Sequence, residues 1–110
     1  MKIETRELKH VDVVKVSGRV DSATAPDMEK ALQGLVDSDR SQIVMDLQEV
    51  DYMSSAGLRV LVSMLKAARK NGGDVRLAQP SQRVKEVLNL AGLTPVFQIH
   101  TDLVEAVGSF

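Results

Sequence analysis

Between residues 11 and 20, Val14 and Val16 alternate with Lys15 and Ser17. A period of two belongs to a half-buried strand. Together with residues 2–8 it predicts two strands joined by a tight turn near Lys9 and His10. The period then changes. Met28, Ala31, Leu32, Leu35 and Val36 form a helical stripe facing a core. Thr24 and Asp27 have the spacing of a capping box, and Pro26 suits a first helical turn. Ile43, Val44, Met45 and Leu47, interrupted only by Asp46, read as a strand buried on both faces.

The longest helical pattern covers residues 55–70 and stops at Asn71-Gly72-Gly73-Asp74, where Gly72 or Gly73 can take the left-handed cap conformation. Residues 74–78 make a short strand. Ser81 caps a third helix with Val84, Val87, Leu88 and Ala91 facing inward, and Gly92 stops it. Residues 96–99 suggest a final edge strand. Thr101 or Asp102 then caps a last helix containing Leu103, Val104 and Val107. The sum is one α/β domain over residues 1–110, a mixed sheet of four or five strands packed with about four helices. In open α/β sheets, functional loops gather at the carboxyl ends of strands. The stretches GRVDSATAP (18–26) and VDYMSSAG (50–57) both follow strands and precede helices, so they are expected side by side on one rim.

The long helix carries more apolar surface than a core needs. Leu58, Leu61, Val62, Leu65 and Ala68 form one stripe, which Gly57, Val60, Met64 and Ala67 widen on one side. The arc is roughly 220°, against the ~100° that packing minimally requires. Either neighbouring helices cover the excess, or it is a partner-binding surface with Val60 and Met64 exposed. Methionine suits an adaptable interface.

Composition narrows the chemistry. Hydrophobic residues make up 44% and charged residues 26% of the 110, as in an ordinary globular domain. Fourteen Lys and Arg against fifteen Asp and Glu give a net charge of −1, with no basic field for nucleic acid or an anionic membrane. The absence of cysteine excludes disulfides, thiolate zinc sites and cysteine nucleophiles. His10 and His100 stand apart, outside any metal-ligand spacing. The charged start, MKIETRELKH, lacks the apolar core of a signal peptide, and no run approaches the length of a membrane span. A cytoplasmic protein is the expectation, and no cofactor or metal is implied.

The paired serines 54 and 55 invite two readings. A nucleophile elbow needs G-x-S-x-G, but Met53 stands where its first glycine would precede Ser55, and neither histidine sits in a recognisable catalytic motif. The alternative is a serine that is modified. A phosphate at a helix N-terminus meets unpaired N–H groups and the positive end of the helix dipole. It also adds about −1.5 to −2 charges, converting a neutral docking surface beside Asp51 and Gly57 into an anionic one.

In order, GRVDSATAP, the strand IVMDL, YMSSAGLRVL, the NGG turn and PSQRVKEVLNLAGL resemble the STAS-domain anti-sigma-factor antagonists of bacteria. The likeness runs from about residue 3 to residue 107. Its most specific parts are Gly18-x-x-Asp21 and Ser54-Ser55-Ala56-Gly57-Leu58. The resemblance implies a STAS fold and a partner-switching module with no catalytic activity of its own. Unphosphorylated, such a protein binds an anti-sigma factor that is also a serine kinase of the histidine-kinase-like ATPase fold, and so frees a sigma factor. The kinase phosphorylates a serine at the start of the second helix, which breaks the complex, and a metal-dependent serine phosphatase restores it.

In the family the modified serine directly follows an Asp in an Asp-Ser-Ser or Asp-Ser-Thr motif, followed by Gly. Matching Gly57 to that glycine puts Ser55 at the modified position and Ser54 where the Asp stands, which leaves Ser54 as a second candidate acceptor. Asp21, Ser22 and Thr24 match the loop that contributes to the partner interface, alongside Ser54, Ser55 and Gly57. The same loop residues also shape and cap the first helix. Two alternatives stay open beside the sigma-factor switch. One is a STAS module that serves another signalling pathway as a scaffold or small-ligand or lipid binder. The other is a serine hydrolase.

Overall fold

The computed structural model describes all residues, 1–110. Two strands, β1 (Lys2–Glu7) and β2 (Asp12–Val20), form an antiparallel hairpin. They are followed by α1 (Ala25–Asp37), β3 (Gln42–Met53), α2 (Ser55–Lys70), β4 (Asp74–Ala78) and α3 (Gln82–Leu90). A short 3-10 turn, Thr94–Val96, leads to β5 (Ile99–His100) and α4 (Leu103–Gly108). The sheet runs β1-β2-β3-β4-β5, and every pairing after the first is parallel.

The sheet divides the molecule into two unequal layers, and the alternation along its strands decides which residue faces which. Val14 and Val16 of β2 and Ile43, Met45 and Leu47 of β3 join α1, α2 and α3 in the main core, with Met28, Leu32, Leu61, Leu65 and Leu88 buried among them. On the opposite face Val11, Val13, Val44 and Ala78 pack with Ala106 of α4. The Ile43–Leu47 run is therefore buried on both sides, as its sequence requires. Asp46 lies within it at 6% exposure, its carboxylate accepting from the Gln48 N–H and the Gln79 side chain, both at 3.2 Å. Burial of a carboxylate is tolerable only with such partners.

Two further buried acids brace the far ends of the strands. Asp12 receives a bidentate pair from Arg40 at 2.8 and 3.2 Å. Asp74 sits between Arg69 and Arg76, each at 3.0 Å.

Several local expectations are corrected. Thr24 precedes α1, but its hydroxyl does not cap the helix with Asp27 in the expected box. Instead it donates to the carbonyl of Arg19 at 3.0 Å and accepts from the Asp21 N–H at 2.9 Å. A tertiary tie to the incoming strand outcompetes the local cap. Strand β3 continues to Met53, well past the apolar run, because its later residues pair with the end of β2. Most of residues 96–99 forms the approach to β5, which is only two residues long. Ala91, expected inside, is exposed, since α3 ends at Leu90 and Ala91 is its C-cap. Ser81 caps α3 through the Val84 N–H, Asp102 caps α4 through the Val104 N–H, and Gly72 ends α2 with φ +81°.

Candidate functional site

The candidate site is built where β2 and β3 end. Val20 and Met53 are register partners on these parallel strands. One residue further, the Ser54 N–H donates to the Val20 carbonyl at 2.9 Å. That bond joins the strand-to-helix turns of β2 and β3, so Gly18–Asp21 and Ser54–Gly57 share one rim as their sequence positions suggested. The register shifts between Gly18 and Arg19, and Gly18 adopts φ +87°, a conformation L side chains rarely take. Such a bulge re-aims the strand end. Here it turns Arg19 across Tyr52 of β3, its guanidinium 3.9 Å from the ring centroid. Attraction of this kind, between a cation and the negative face of a ring, ties the two turns a second time.

Asp21 organises the first turn. Its Oδ1 accepts from the backbone N–H groups of Ala23 and Thr24 at 3.0 and 3.1 Å, while its Oδ2 accepts from Arg19 Nε at 3.1 Å. These donors, the Thr24 N–H foremost, hold the Asp21 carboxyl below the usual carboxylate range. Ser22 lies exposed on the same turn and makes no side-chain hydrogen bond.

The two serines of the second turn have different jobs. Ser54 is the N-cap of α2, with extended backbone and its hydroxyl accepting from the Gly57 N–H at 3.4 Å. Ser55 is the first helical residue, exposed, and its hydroxyl is engaged by nothing. Gly57 is buried rather than presented to a partner. A Cβ there would lie 2.3 Å from Met53 Sδ and 2.8 Å from Val20 Cγ1, so glycine is what lets α2 start so close to both strands. Neither histidine hydrogen-bonds to Ser55. His10 lies by Ser41 and Gly73, at the starts of β3 and β4, on the opposite rim.

Val60 and Met64 are not exposed. They retain 7% and 3% of their accessible surface, because α1 packs alongside α2 on that flank. The incompletely covered flank is the other one. There Leu58 and Val62 face Ala91 and Leu93, which follow α3, across an open groove of about 660 Å³. Ser55 stands at one end of this groove, and Arg59 and Lys66 line it along α2.

Residues 2–106 match the family model for the STAS domain. The chain belongs to the STAS domain family. Its STAS relatives include the protein BtrV of Bordetella bronchiseptica, 31% identical over 110 residues that cover 100% of this chain and 95% of that protein. The anti-sigma-B factor antagonist of Listeria monocytogenes is 31% identical over 99 residues, covering 90% and 86% of the two chains. The STAS fold is also that of the Bacillus anti-sigma factor antagonist SpoIIAA in its unphosphorylated form. That structure superposes with a TM-score of 0.85 at 17% identity, covering 96% and 93%. No helix of this STAS domain is long and apolar enough to cross a membrane.

Of the residues singled out in the sequence, the STAS rim thus brings together Asp21, Ser22, Thr24, Ser54 and Ser55. It withdraws Gly57, Val60 and Met64 into the interior. Arg19, Tyr52, Arg59 and the Leu58–Val62 groove were missed. The excess apolar arc of α2 was the signal for the groove, but an arc has two edges. Which edge a neighbour covers is settled by how α1 and α3 pack.

Proposed function

We propose that this STAS domain is a partner-switching regulator controlled by phosphorylation at Ser55. Unmodified, it binds an anti-sigma factor that is also a serine kinase of the histidine-kinase-like ATPase fold, and thereby releases a sigma factor. Phosphorylation of Ser55 by that kinase dissolves the complex, and a metal-dependent serine phosphatase resets it. The observation that carries this reading is the division of labour between the serines. Ser54 spends its hydroxyl on the helix cap, whereas Ser55 offers a free, exposed one beside the Asp21 turn. An acceptor must be accessible, and a phosphate there is stabilised by the helix terminus rather than opposed by it. The names of the relatives, and the existence of SpoIIAA in a phosphorylated form, support the same reading.

On this reading the protein acts by binding, with Ser55 as an acceptor of phosphate rather than a nucleophile of its own reaction. Asp21, Ser22 and Thr24 would contribute the second half of the partner surface. The test is a kinase reaction with the cognate anti-sigma factor followed by peptide mapping. Stoichiometric phosphate on Ser55 is expected. Phosphate confined to Ser54 would move the acceptor by one residue, and no incorporation into folded protein would overturn the switch.

A further inference from the structure

Helix α2 contains no Asp or Glu. Arg19, Arg40, Arg69 and Arg76 each hold a carboxylate, but Arg59, exposed on α2, makes no ion pair and no hydrogen bond. It lies four residues after Ser55 and lines the same groove. Residues at i and i+4 on a helix are neighbours, with Cβ atoms about 5–6 Å apart, and an anion four residues before a cation is the favourable order. The unmodified helix offers Arg59 no such anion. A phosphate on Ser55 supplies it.

We propose that Arg59 is the intramolecular counter-ion of a phosphate on Ser55, so that modification draws its guanidinium to the Ser55 end of the groove. The inference rests on the reading of Ser55 as the acceptor. Guanidinium matches phosphate with paired N–H donors, which a lysine cannot reproduce. Of the residues that line the groove, only Arg59 and Lys66 are charged. Arg19, at the neighbouring turn, is already engaged by Asp21. Lys66 is 11 residues further along α2, about 16 Å at 1.5 Å per residue. The modification therefore does more than add negative charge at one point. It also engages an otherwise unpaired cation of the groove, changing what a partner meets along the groove as well as at Ser55.

The test uses full-length protein with genetically encoded phosphoserine at position 55, so it does not depend on any kinase. The second phosphate ionisation is followed by phosphorus NMR across pH in the parent protein, Arg59→Gln, Arg59→Lys and Lys66→Gln. Pairing predicts a midpoint below the usual ~6 in the parent. Arg59→Gln should raise that midpoint by about 0.2–0.4 unit or more, the scale of an exposed i, i+4 pair. Arg59→Lys should restore part of the difference, and Lys66→Gln should leave the midpoint where it was. Equal midpoints in the parent and Arg59→Gln would overturn the proposal, as would a shift in Lys66→Gln as large as in Arg59→Gln. If the pairing is found but kinase treatment leaves Ser55 unmodified, the acceptor assignment fails while the pairing stands.

Discussion

The Ser54 N–H donates to the Val20 carbonyl at 2.9 Å, so the residue that caps α2 is fastened to the last residue of β2. One hydrogen bond thus couples the turn that carries Asp21 to the turn that carries Ser55. The capping hydroxyl and the exposed hydroxyl are adjacent in sequence but held by different parts of the fold.

This arrangement separates stability from signalling at neighbouring positions. Ser54→Ala removes the cap and should cost about 1 kcal/mol, the usual value for losing a serine N-cap. Ser55→Ala removes a hydroxyl that bonds to nothing and should change stability by less than about 0.5 kcal/mol. Urea denaturation of the two variants checks this. An equal loss in both would mean that Ser55 shares the capping role.

Gly57→Ala should be more damaging than either serine change, although alanine is the better helix former. Its Cβ would meet Met53 Sδ at 2.3 Å and Val20 Cγ1 at 2.8 Å. Methionine can yield, but the Val20 methyl belongs to the strand that fixes the rim. Overpacking of this kind costs about 1–3 kcal/mol. A thermal melt showing Gly57→Ala at or above the parent Tm would contradict the close approach.

Val60→Glu and Met64→Glu should unfold the domain or destabilise it by several kcal/mol, since each would place an unpaired charge under α1. Val62→Glu, at the groove, should leave the domain folded. Circular dichroism melts of the three distinguish the buried flank of α2 from the open one. A stable, fully folded Val60→Glu would show that α1 does not seal that flank.

The Asp21 carboxyl, held low by the Thr24 N–H and its other donors, gives a pH signature. A depressed folded-state value means that the unfolded chain binds the proton more readily. The contribution is therefore present above the unfolded value of about 3.9 and is lost as pH falls through the folded one. Asp21→Asn should lower stability near neutral pH and flatten the decline below about pH 4 relative to the parent. Parallel acid-unfolding slopes in the two proteins would remove Asp21 from the account.

Where period and punctuation are local, the sequence was enough. Residues 55–70 and 74–78 have the boundaries their patterns predict, because Ser54, Gly72 and Asp74 mark them chemically. Shared placement of the two turns also followed from strand-to-helix order. Thr24 was misread because its spacing to Asp27 suggests a cap, while its actual partner, the Arg19 carbonyl, is visible only once β2 has bent at Gly18. The groove was missed for a related reason. Val60 and Val62 are equally apolar, and only the placement of α1 against one flank decides which is buried.

A single modification at Ser55 should change what the rim binds. The decisive measurement is the affinity of the cognate anti-sigma kinase for three forms of the protein: unmodified, Ser55→Asp, and phosphorylated at Ser55. Phosphate adds about two charges where aspartate adds one. Strong binding is expected of the unmodified form, weaker binding of Ser55→Asp, and the weakest of the phosphoprotein, at least tenfold below the unmodified form, a difference of about 1.4 kcal/mol. Undiminished affinity with stoichiometric phosphate on Ser55 would contradict that expectation.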